Sequence, residues 1–486
     1  NQKITVHGDY DADGISASVI IVEAIRALGG EVDYYLPSRF DEGYGLHSDA
    51  LRQFKDEGTK LVITVDCGIS AIDEARLASQ IGLDLIITDH HQPLEELPEA
   101  LAVINPLQNS CSYPFKELSG AGVALKLVTA LYESSGLNPA HDLLDLAALG
   151  TAADVVPLLD ENRLLVAGGL EVIRTLKRPG FKALCNAVGL TPERINSHAL
   201  SFILAPAINA AGRMGEAFPA ASLLIEKDAA KAAGLAARLV EANQQRRSVE
   251  QQIVKVADEM AAKLIEEEEQ NVLTLAADGW HHGVIGIVAS RLVDKYKRPV
   301  ALIALEGDEG RGSARSVDKF DITAALNDSK KLLIRYGGHE QAAGFSVKRS
   351  NVEALRKRLN QYALTRLGDS ANIQRLIIDC LVTENELSHN LAGELEKFEP
   401  LGASNPAPLL ASLDWELLSW RIVGSDNRHL KLNLKKNKAQ VNPIFFSGAD
   451  LAGKLEQGRR LDLAFRLKNG HFNGCQTLDL ELKDLR

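Results

Sequence analysis

The sequence predicts an α/β protein of several domains that ends in a small β-barrel, and three observations support this fold class. Up to about residue 105, short β-branched segments alternate with amphipathic helical patterns, which is typical of a parallel sheet covered by helices. A second alternation of this kind covers residues 271–368. From about residue 373 onwards, short strands with alternating polar and apolar residues predict a barrel.

We divide the 486 residues into four predicted segments. They are a first α/β domain (1–215), a helical connector (216–270), a second α/β domain (271–368) and a barrel of the OB-fold type (369–486). The connector is predicted because residues 220–270 contain almost no Gly or Pro and are rich in Ala, Glu, Lys, Gln and Arg. Within the second α/β domain, the glycine-rich segment GRGSARS at 310–316 predicts a loop.

Composition narrows the class of protein. No apolar segment approaches the roughly 20 residues that span a bilayer, and no signal-peptide pattern opens the chain, which begins at Asn1 and which we expect other residues to precede. The five cysteines are far apart and form no CxxC pair, so we expect reduced thiols in a cytoplasmic protein. The net charge of −11 disfavours nucleic acid as a partner unless the basic residues are clustered.

Basic residues do cluster late in the chain, although each cluster could equally be a solvated helix or strand face. One cluster is Arg356–Arg358. A second lies in the predicted barrel, where a basic groove with aromatic rings would suit single strands. Its candidates are Arg428, Lys431, Lys435, Lys436, Lys438, Trp415, Trp420, Phe445, Phe446 and Phe472.

Acidic and histidine side chains follow the first predicted strand at alternate positions: His7, Asp9, Asp11 and Asp13. Carboxylates so closely spaced repel one another unless cations compensate, and hard divalent metals prefer oxygen ligands with some imidazole. The pattern alone is equally typical of a solvated turn.

Two further groups favour the metal. Asp66 follows one strand, and Asp89, His90 and His91 follow the next, so these side chains are expected at the same sheet edge. With Asp154 from a helical segment, there are enough ligands for two ions, an arrangement that suits phosphoester hydrolysis.

Four motifs resemble those of the DHH family of phosphoesterases, in the same order: HGDYDADG, VDCGIS, TDHH and GTAADVVPL. The resemblance implies two Mn²⁺ or Mg²⁺ ions bridged by Asp66. One ion would be held by His7, Asp11 and Asp66, and the other by Asp13, Asp66, His90 and Asp154. Asp9 belongs to the candidate ligand set, either as a ligand or in support of one.

Further motifs resemble the part of that family that contacts substrate. GGHEQAAGFS at 337–346, together with GRGSARS, is similar to the DHH-associated domain. The implied substrate-binding residues are His339, Arg315, Ser313, Gly337, Gly338, Arg39 and Tyr44. His91 resembles a family histidine that faces the substrate phosphate, with support of the site by hydrogen bonding as the alternative. The implied catalytic residues are His91, Asp66, Asp11 and Asp13.

SRFDEGYGL, LSGAGVALKL, PAINAAGRMG and the barrel resemble the RecJ branch, so the resemblance covers essentially the whole chain. It implies an exonuclease that degrades single-stranded DNA 5′→3′ to mononucleotides in DNA recombination and repair. The implied partners are single-stranded DNA, a single-strand-binding protein and a recombination helicase, with the chain itself a monomer.

Two alternatives stay open at this point. One is a DHH phosphodiesterase acting on small molecules or oligoribonucleotides, which would not need the barrel. The other is a non-catalytic DNA-repair scaffold, which is disfavoured because every candidate metal position keeps its acid or histidine. Without the family resemblance, the sequence leaves polarity and the choice between DNA and RNA undecided, and the preferred metal and the oligomeric state also stay open.

Overall fold

A computed structural model of the chain describes residues 2–40, 42–267, 270–366, 376–424, 427–472 and 475–486, with the backbone alone at 471, 472 and 475. Contacts divide the chain into two compact units. The first contains Asn1–Val156, Gly168–Ile195 and Ala199–Ile373, and the second contains Pro157–Ala167, Asn196–His198 and Gln374–Arg486. The predicted boundary between residues 368 and 369 and the side chain of Phe472 lie outside the described parts.

The first sheet has five parallel strands in the order β2-β1-β3-β4-β5. They are β1 (Ile4–His7), β2 (Val32–Tyr35), β3 (Leu61–Val65), β4 (Asp84–Thr88) and β5 (Ala102–Ile104). The strands predicted before the three acidic motifs are β1, β3 and β4, which are direct neighbours. The carboxyl ends of these three strands therefore meet at one edge, as the strand pattern predicted.

Helices surround this sheet and continue beyond it. They are α1 (Ala12–Ala27), α2 (Ser48–Asp56), α3 (Ile72–Gln80), α4 (Gly120–Ser134), α5 (Leu144–Ala153), α6 (Asp160–Arg174), α7 (Pro179–Val188), α8 (Ser197–Ala199), α9 (Ala205–Met214), α10 (Phe218–Ile225) and α11 (Ala229–Glu267). Helix α1 is buried almost throughout, and its buried positions include Asp13, Ser16 and Ser18 as well as its apolar residues. It packs against α4 and α5. The predicted connector is mainly the 39-residue helix α11.

The second sheet is mixed, in the order β6-β7-β8-β10-β9. Its strands are β6 (Leu273–Asp278), β7 (Val300–Glu306), β8 (Glu309–Arg315), β9 (Leu333–His339) and β10 (Ala342–Lys348), and its helices are α12 (His282–Tyr296), α13 (Ile322–Asp328) and α14 (Val352–Leu364). Leu302 packs with α11 and α12, whereas Ala301 and Ile303 pack with α13 and α14. This alternation is the two-residue period of a strand buried on both faces.

The prediction of a loop at GRGSARS is wrong, because this segment forms most of β8. It pairs with β7 on one side and β10 on the other. Glycine ordinarily weakens a strand, but Gly312 is needed here because a Cβ atom would lie 2.2 Å from the ring of Phe345. The glycines therefore mark close packing within a central strand.

The C-terminal strands form the predicted barrel, in the order β11-β12-β16-β17-β15-β13-β14 with an additional β12–β13 pairing that closes it. They are β11 (Cys380–Leu381), β12 (Leu410–Val423), β13 (His429–Lys436), β14 (Ala439–Val441), β15 (Ile444–Phe445), β16 (Arg460–Phe472) and β17 (Cys475–Leu485), with one helix, α15 (His389–Glu396). Trp415 lies in the barrel core, whereas Phe446 is half exposed and contacts His429 edge to face. Among the described helices, none combines the length and apolar character required to cross a membrane.

Candidate metal centre

Three groups of ligand atoms meet at the edge formed by β1, β3 and β4. The first is Asp13, His90 and Asp154, the second is Asp9, Asp11 and Asp66, and the third is Asp66, His90 and His91. Within each group the candidate atoms lie within 4.8 Å of one another. Asp66 belongs to two of the groups, so the structure brings it to the position that a bridging ligand would need.

His90 connects these groups. Its Nε2 atom lies 3.1 Å from Asp66 Oδ1, 3.6 Å from Asp154 Oδ2 and 4.0 Å from Asp13 Oδ2. Burial, followed by the charge of His91, lowers the pKa of His90 to about 4. The imidazole is therefore neutral near pH 7 and keeps a lone pair for a metal.

The carboxyl groups of the site are difficult to ionise together. Burial, followed by the neighbouring carboxylates, raises the pKa of Asp9 and Asp154 to about 8 and that of Asp13 to about 7. The same causes raise the pKa of Asp66 well above its usual value. So many buried carboxyl groups in contact favour protonation unless a cation replaces the proton.

Several buried polar atoms of the site have no hydrogen-bond partner within the described part of the chain: His7 Nε2, Asp9 Oδ1, and the pair Asp66 Oδ1 and His90 Nε2, which lie 3.1 Å apart without hydrogen-bonding geometry. Buried polar atoms are ordinarily satisfied, so this concentration of unpaired acceptors calls for a cause. Carboxylate oxygens with some imidazole are the donors that Mn²⁺ and Mg²⁺ accept. The residues therefore fit these ions.

His7 is the one predicted ligand outside the three groups. Its ring stacks on Tyr35, with the centroids 5.6 Å apart, and its Nδ1 atom lies 3.6 Å from the thiol of Cys67. Burial, followed by the charge of His47, lowers the pKa of His7 to about 4. The ring is thus held neutral and in one orientation, with Nε2 unpaired among the described residues.

Local backbone geometry places the acids. Asp11 caps α1, where its side chain accepts hydrogen bonds from the backbone N–H groups of Asp13 and Gly14. Asp13 in turn accepts from the N–H groups of Gly120 and Ala121 at the start of α4, at 2.6 and 2.9 Å. Asp66 has a φ of 60°, a left-handed conformation that is uncommon for a residue with a side chain.

Asp89 is a site residue to which the sequence assigned no role. Its Oδ1 atom accepts from the backbone N–H groups of His90 and His91 and lies 2.7 Å from His91 Nδ1, while its Oδ2 accepts from Ile69 N–H. Burial alone would lower the pKa of His91, but the hydrogen bond and charge of Asp89 raise it to about 9. Asp89 thus orients both histidines and favours the protonated form of His91. Its place beside them in the TDHH motif was the available signal.

Tyr44 joins this arrangement to an open cleft. Its hydroxyl group donates to the carbonyl oxygen of Asp66 and lies 3.2 Å from His91 Nδ1. The cleft has a volume of about 700 Å³ and is lined by the first and second α/β regions of the same compact unit. Six of the seven predicted substrate-binding residues line it: Arg39, Tyr44, Ser313, Arg315, Gly337 and Gly338.

The seventh, His339, is not among the lining residues. Burial, followed by the charges of Arg315 and His91, lowers its pKa, so it lies near both groups. The cleft also contains residues that sequence reasoning missed: Tyr10, His282, Arg311, Arg335 and Tyr336. Of the missed arginines, Arg311 lies in β8 and Arg335 in β9, each at an alternate strand position that faces the cleft. This pattern becomes visible only when GRGSARS is recognised as a strand.

Three family models match the chain. They are the N-terminal domain of the DHH family (residues 3–151), the DHHA1 domain (269–365) and the RecJ OB domain (378–484). The protein "Single-stranded-DNA-specific exonuclease RecJ" of Salmonella typhimurium is 35% identical over 99% of this chain and 87% of its own length. The chain belongs to the RecJ family of DHH proteins.

A second RecJ, from Bacillus subtilis, is 38% identical over 99% of this chain, which spans 61% of that relative's length. The solved RecJ of Thermus thermophilus in complex with Mn²⁺ matches with a TM-score of 0.86 at 34% identity, covering 100% of this chain and 69% of the solved one. The same protein has been solved with Mg²⁺, with a TM-score of 0.79 at 33% identity, covering 100% and 67%. These matches confirm the predicted RecJ fold.

Proposed function

We propose that this chain is a metal-dependent exonuclease that hydrolyses single-stranded DNA from its 5′ end to mononucleotides. The observation that carries the proposal is the shared carboxylate Asp66, which links two groups of metal ligands beside a cleft rich in arginine. The RecJ relatives are named as single-stranded-DNA-specific exonucleases, and solved members hold Mn²⁺ or Mg²⁺. A role in recombination and repair belongs to the same proposal.

We assign the metal ligands as the family motifs imply. His7, Asp11 and Asp66 would hold one ion, and Asp13, Asp66, His90 and Asp154 the second. Asp9 is grouped with Asp11 and Asp66, and its buried Oδ1 lacks a partner among the described residues, so it would stand beside the first ion. The ions would supply Lewis acidity and neutralise charge on the phosphate.

The protein groups around the ions would bind and orient the substrate. His91 uses Nδ1 to contact Asp89, and as an imidazolium it would donate from Nε2 to an oxygen of the scissile phosphate. Arg39 and Arg315 would hold the phosphate at the strand terminus together with Ser313, whose hydroxyl lies 3.1 Å from Arg315 Nη1. Gly337 and Gly338 would let the strand approach the sheet backbone, and His339 would donate to a phosphate oxygen.

The barrel would hold the strand away from the cut, which favours a polymeric substrate over a small molecule. Lys431, Lys435 and Lys438 carry no ion pair among the described residues, whereas Lys436 is paired with Glu384 at 3.5 Å. The half-exposed ring of Phe446 could stack on a base. By family resemblance, a single-strand-binding protein and a recombination helicase are the proposed partners of a cytoplasmic monomer.

The test uses oligonucleotides of DNA and RNA labelled at either end, digested with Mn²⁺. We expect mononucleotides from single-stranded DNA with loss from the 5′ end first, and Asp66→Ala should abolish turnover because this carboxylate would touch both ions. Asp84→Ala, an exposed acid at the opposite end of the same sheet, is the control and should keep activity. Near wild-type turnover by Asp66→Ala at saturating Mn²⁺, or digestion from the 3′ end alone, would contradict the proposal.

A further inference from the structure

The strands β8, β10 and β9 form a platform on the wall of the cleft. Cross-strand partners in an antiparallel sheet lie on the same face, and residues two apart along a strand share that face. The strand registers give three rows on this face: Arg311–Ser346–Arg335, Ser313–Gly344–Gly337 and Arg315–Ala342–His339. Cations therefore lie at both ends of the platform, with a middle row of one serine and two glycines.

The middle row is open. A Cβ atom on Gly337 or Gly344 would have nothing within 4 Å, so the backbone here is exposed to the cleft. Two residues along a strand span about 6.6 Å, so Arg311 begins about 6.6 Å beyond Ser313 and about 13 Å beyond Arg315. This spacing gives the platform room for an anion considerably longer than a single phosphate.

The charge of the cleft also exceeds what a single phosphate needs. Among the described residues, four guanidinium groups line it, those of Arg39, Arg311, Arg315 and Arg335, against one carboxylate, that of Glu42. Glu42 is already engaged by Tyr35 and by the backbone of Ser38. Within the described ranges, none of the four arginines forms an ion pair with a carboxylate. A terminal phosphate carries only about −1.5 to −2.

The two outer arginines are held in place by neutral acceptors. Arg311 donates to the carbonyl oxygen of Phe40 at 3.1 Å and approaches His282 Nε2 at 3.4 Å. Arg335 donates from Nε to the hydroxyl of Ser346 at 3.3 Å. These contacts orient the guanidinium groups but leave their charge uncompensated, which is the arrangement expected of an anion-binding site.

We propose that Arg311 and Arg335 bind the outer phosphates of a 5′-triphosphate terminus, so that the chain also accepts single strands that begin with a triphosphate. This rests on the proposed 5′ exonuclease activity, with the innermost phosphate at Ser313 and Arg315. The reaction is the same hydrolysis. Water oxygen bonds to the phosphorus between the first and second nucleotides, and the bond to the 3′ oxygen of the first nucleotide breaks. That oxygen takes a proton, the remaining strand keeps a 5′ phosphate, and a nucleoside triphosphate leaves.

The experiment compares three oligonucleotides of one sequence that carry a 5′-hydroxyl, a 5′-monophosphate or a 5′-triphosphate, digested by the full chain with Mn²⁺. The products are separated by anion-exchange chromatography. We expect the triphosphate strand to be digested with a kcat/KM comparable to that of the monophosphate strand, and its first product to be a nucleoside triphosphate.

Variants then test the two arginines. In Arg311→Gln/Arg335→Gln, the ratio of kcat/KM for the triphosphate strand to that for the monophosphate strand should fall about tenfold to a hundredfold, as expected for lost charged hydrogen bonds. Arg335→Gln alone, at an exposed side chain, gives a second reading if the double variant fails to fold. Lys348→Gln, at the exposed end of β10, is the control and should leave the ratio unchanged.

Three outcomes would overturn the inference. These are resistance of the triphosphate strand to digestion, an unchanged ratio in both arginine variants, or release of dinucleotides from the monophosphate strand, which would assign the outer arginines to a longer product. If the monophosphate strand itself is not digested, the proposed exonuclease function fails instead, so the two failures are distinguishable.

Discussion

The distances between the carboxyl groups of the metal centre depend on single glycines. Gly150 in α5 faces Asp13, and a Cβ atom there would lie 2.4 Å from Asp13 Oδ1 and 2.5 Å from the Cβ atom of Ala121. Gly120 at the start of α4 has the same relation to Asp66, where a Cβ atom would lie 2.7 Å from Oδ1. Helices can approach the acids this closely only because these positions lack side chains.

We expect Gly150→Ala to weaken Mn²⁺ binding about tenfold and to cost about 1–3 kcal/mol in stability, because the added methyl group displaces Asp13 from its place between α1 and α4. Isothermal titration with Mn²⁺ and thermal unfolding measure the two effects. Gly168→Ala is the matched control, since its Cβ atom would make an ordinary contact of 3.5 Å with Leu144. Equal Mn²⁺ affinity in both variants would show that Asp13 tolerates displacement.

At the residue scale, the sequence predicted most of the acids and histidines because they follow strands that the pattern makes visible, and Asp154 because it lies in a helical segment. It could not predict the role of Asp89, since only the folded loop shows one carboxylate accepting from three N–H groups. The arginines Arg311 and Arg335 were also missed. They reach the cleft through the pairing of β8, β10 and β9, which local patterns do not contain.

At the element scale, one arginine holds together two helices that carry proposed metal ligands. Arg178, at the start of α7, donates to Asp145 in α5 at 2.6 Å and to both oxygens of Glu23 in α1 at 3.0 and 3.1 Å. Helix α1 begins beside Asp11 and α5 ends beside Asp154. The network therefore fixes these two helices relative to each other.

We expect Arg178→Ala to lower the free energy of unfolding by about 3–5 kcal/mol, because it leaves Asp145 and Glu23 without their common cation in a largely buried position. Scanning calorimetry of the purified chain measures the loss. The control is Lys227→Ala, which removes an exposed partner of the same Glu23 and should cost less than about 1 kcal/mol. A similar loss of unfolding free energy in both variants would mean that the ion pairs of Arg178 stabilise the chain no more than an exposed ion pair does.

Elements differ in how far the sequence predicted them. The strands β1, β3 and β4 were visible because each is an apolar segment that ends at polar residues. The strand β8 was not, because its glycines suggest a loop until Phe345 is seen to occupy the space above Gly312. Pairing on both sides outweighs the low intrinsic strand preference of that segment.

At the scale of the whole molecule, the net charge of −11 concealed the sign of the charge where substrate would bind. Of the charged residues that the structure describes, four arginines and one glutamate line the cleft, while the candidate metal centre beside it gathers carboxyl groups. In the proposed assignment, acidic residues hold the ions and basic residues line the cleft. Composition alone cannot distinguish the acidic metal centre from the basic cleft, because it does not say where in the fold each charged residue lies.

The acids of the metal centre should also make stability depend on pH and on metal together. In the folded protein without metal, Asp9 and Asp154 have pKa values of about 8, far above the value of 3.8 expected when unfolded. Such groups stabilise the folded state only while protonated, so this stability is lost as pH rises towards 8. His7 and His90 have pKa values lowered to about 4, so they make the folded state more stable as pH rises, but only below pH 6.5. Between pH 6.5 and 8, Asp13, with a pKa of about 7, and His91, with a pKa of about 9, act in the same sense as Asp9 and Asp154, so all four groups lower stability as pH rises.

We expect the free energy of unfolding of the metal-free chain to fall by about 1 kcal/mol between pH 6.5 and 8 for each of Asp9 and Asp154. Bound Mn²⁺ removes the loss because it needs the ionised carboxylates, so the rise in Tm caused by Mn²⁺ relative to a chelator should grow over the same interval. Thermal unfolding at several pH values, with Mn²⁺ and with chelator, measures this difference. Asp84→Asn should keep the growing difference, and Asp66→Asn should lose most of it, because the shared ligand is gone. A difference that stays constant or shrinks as pH rises would mean that protons and metal do not compete for these carboxyl groups.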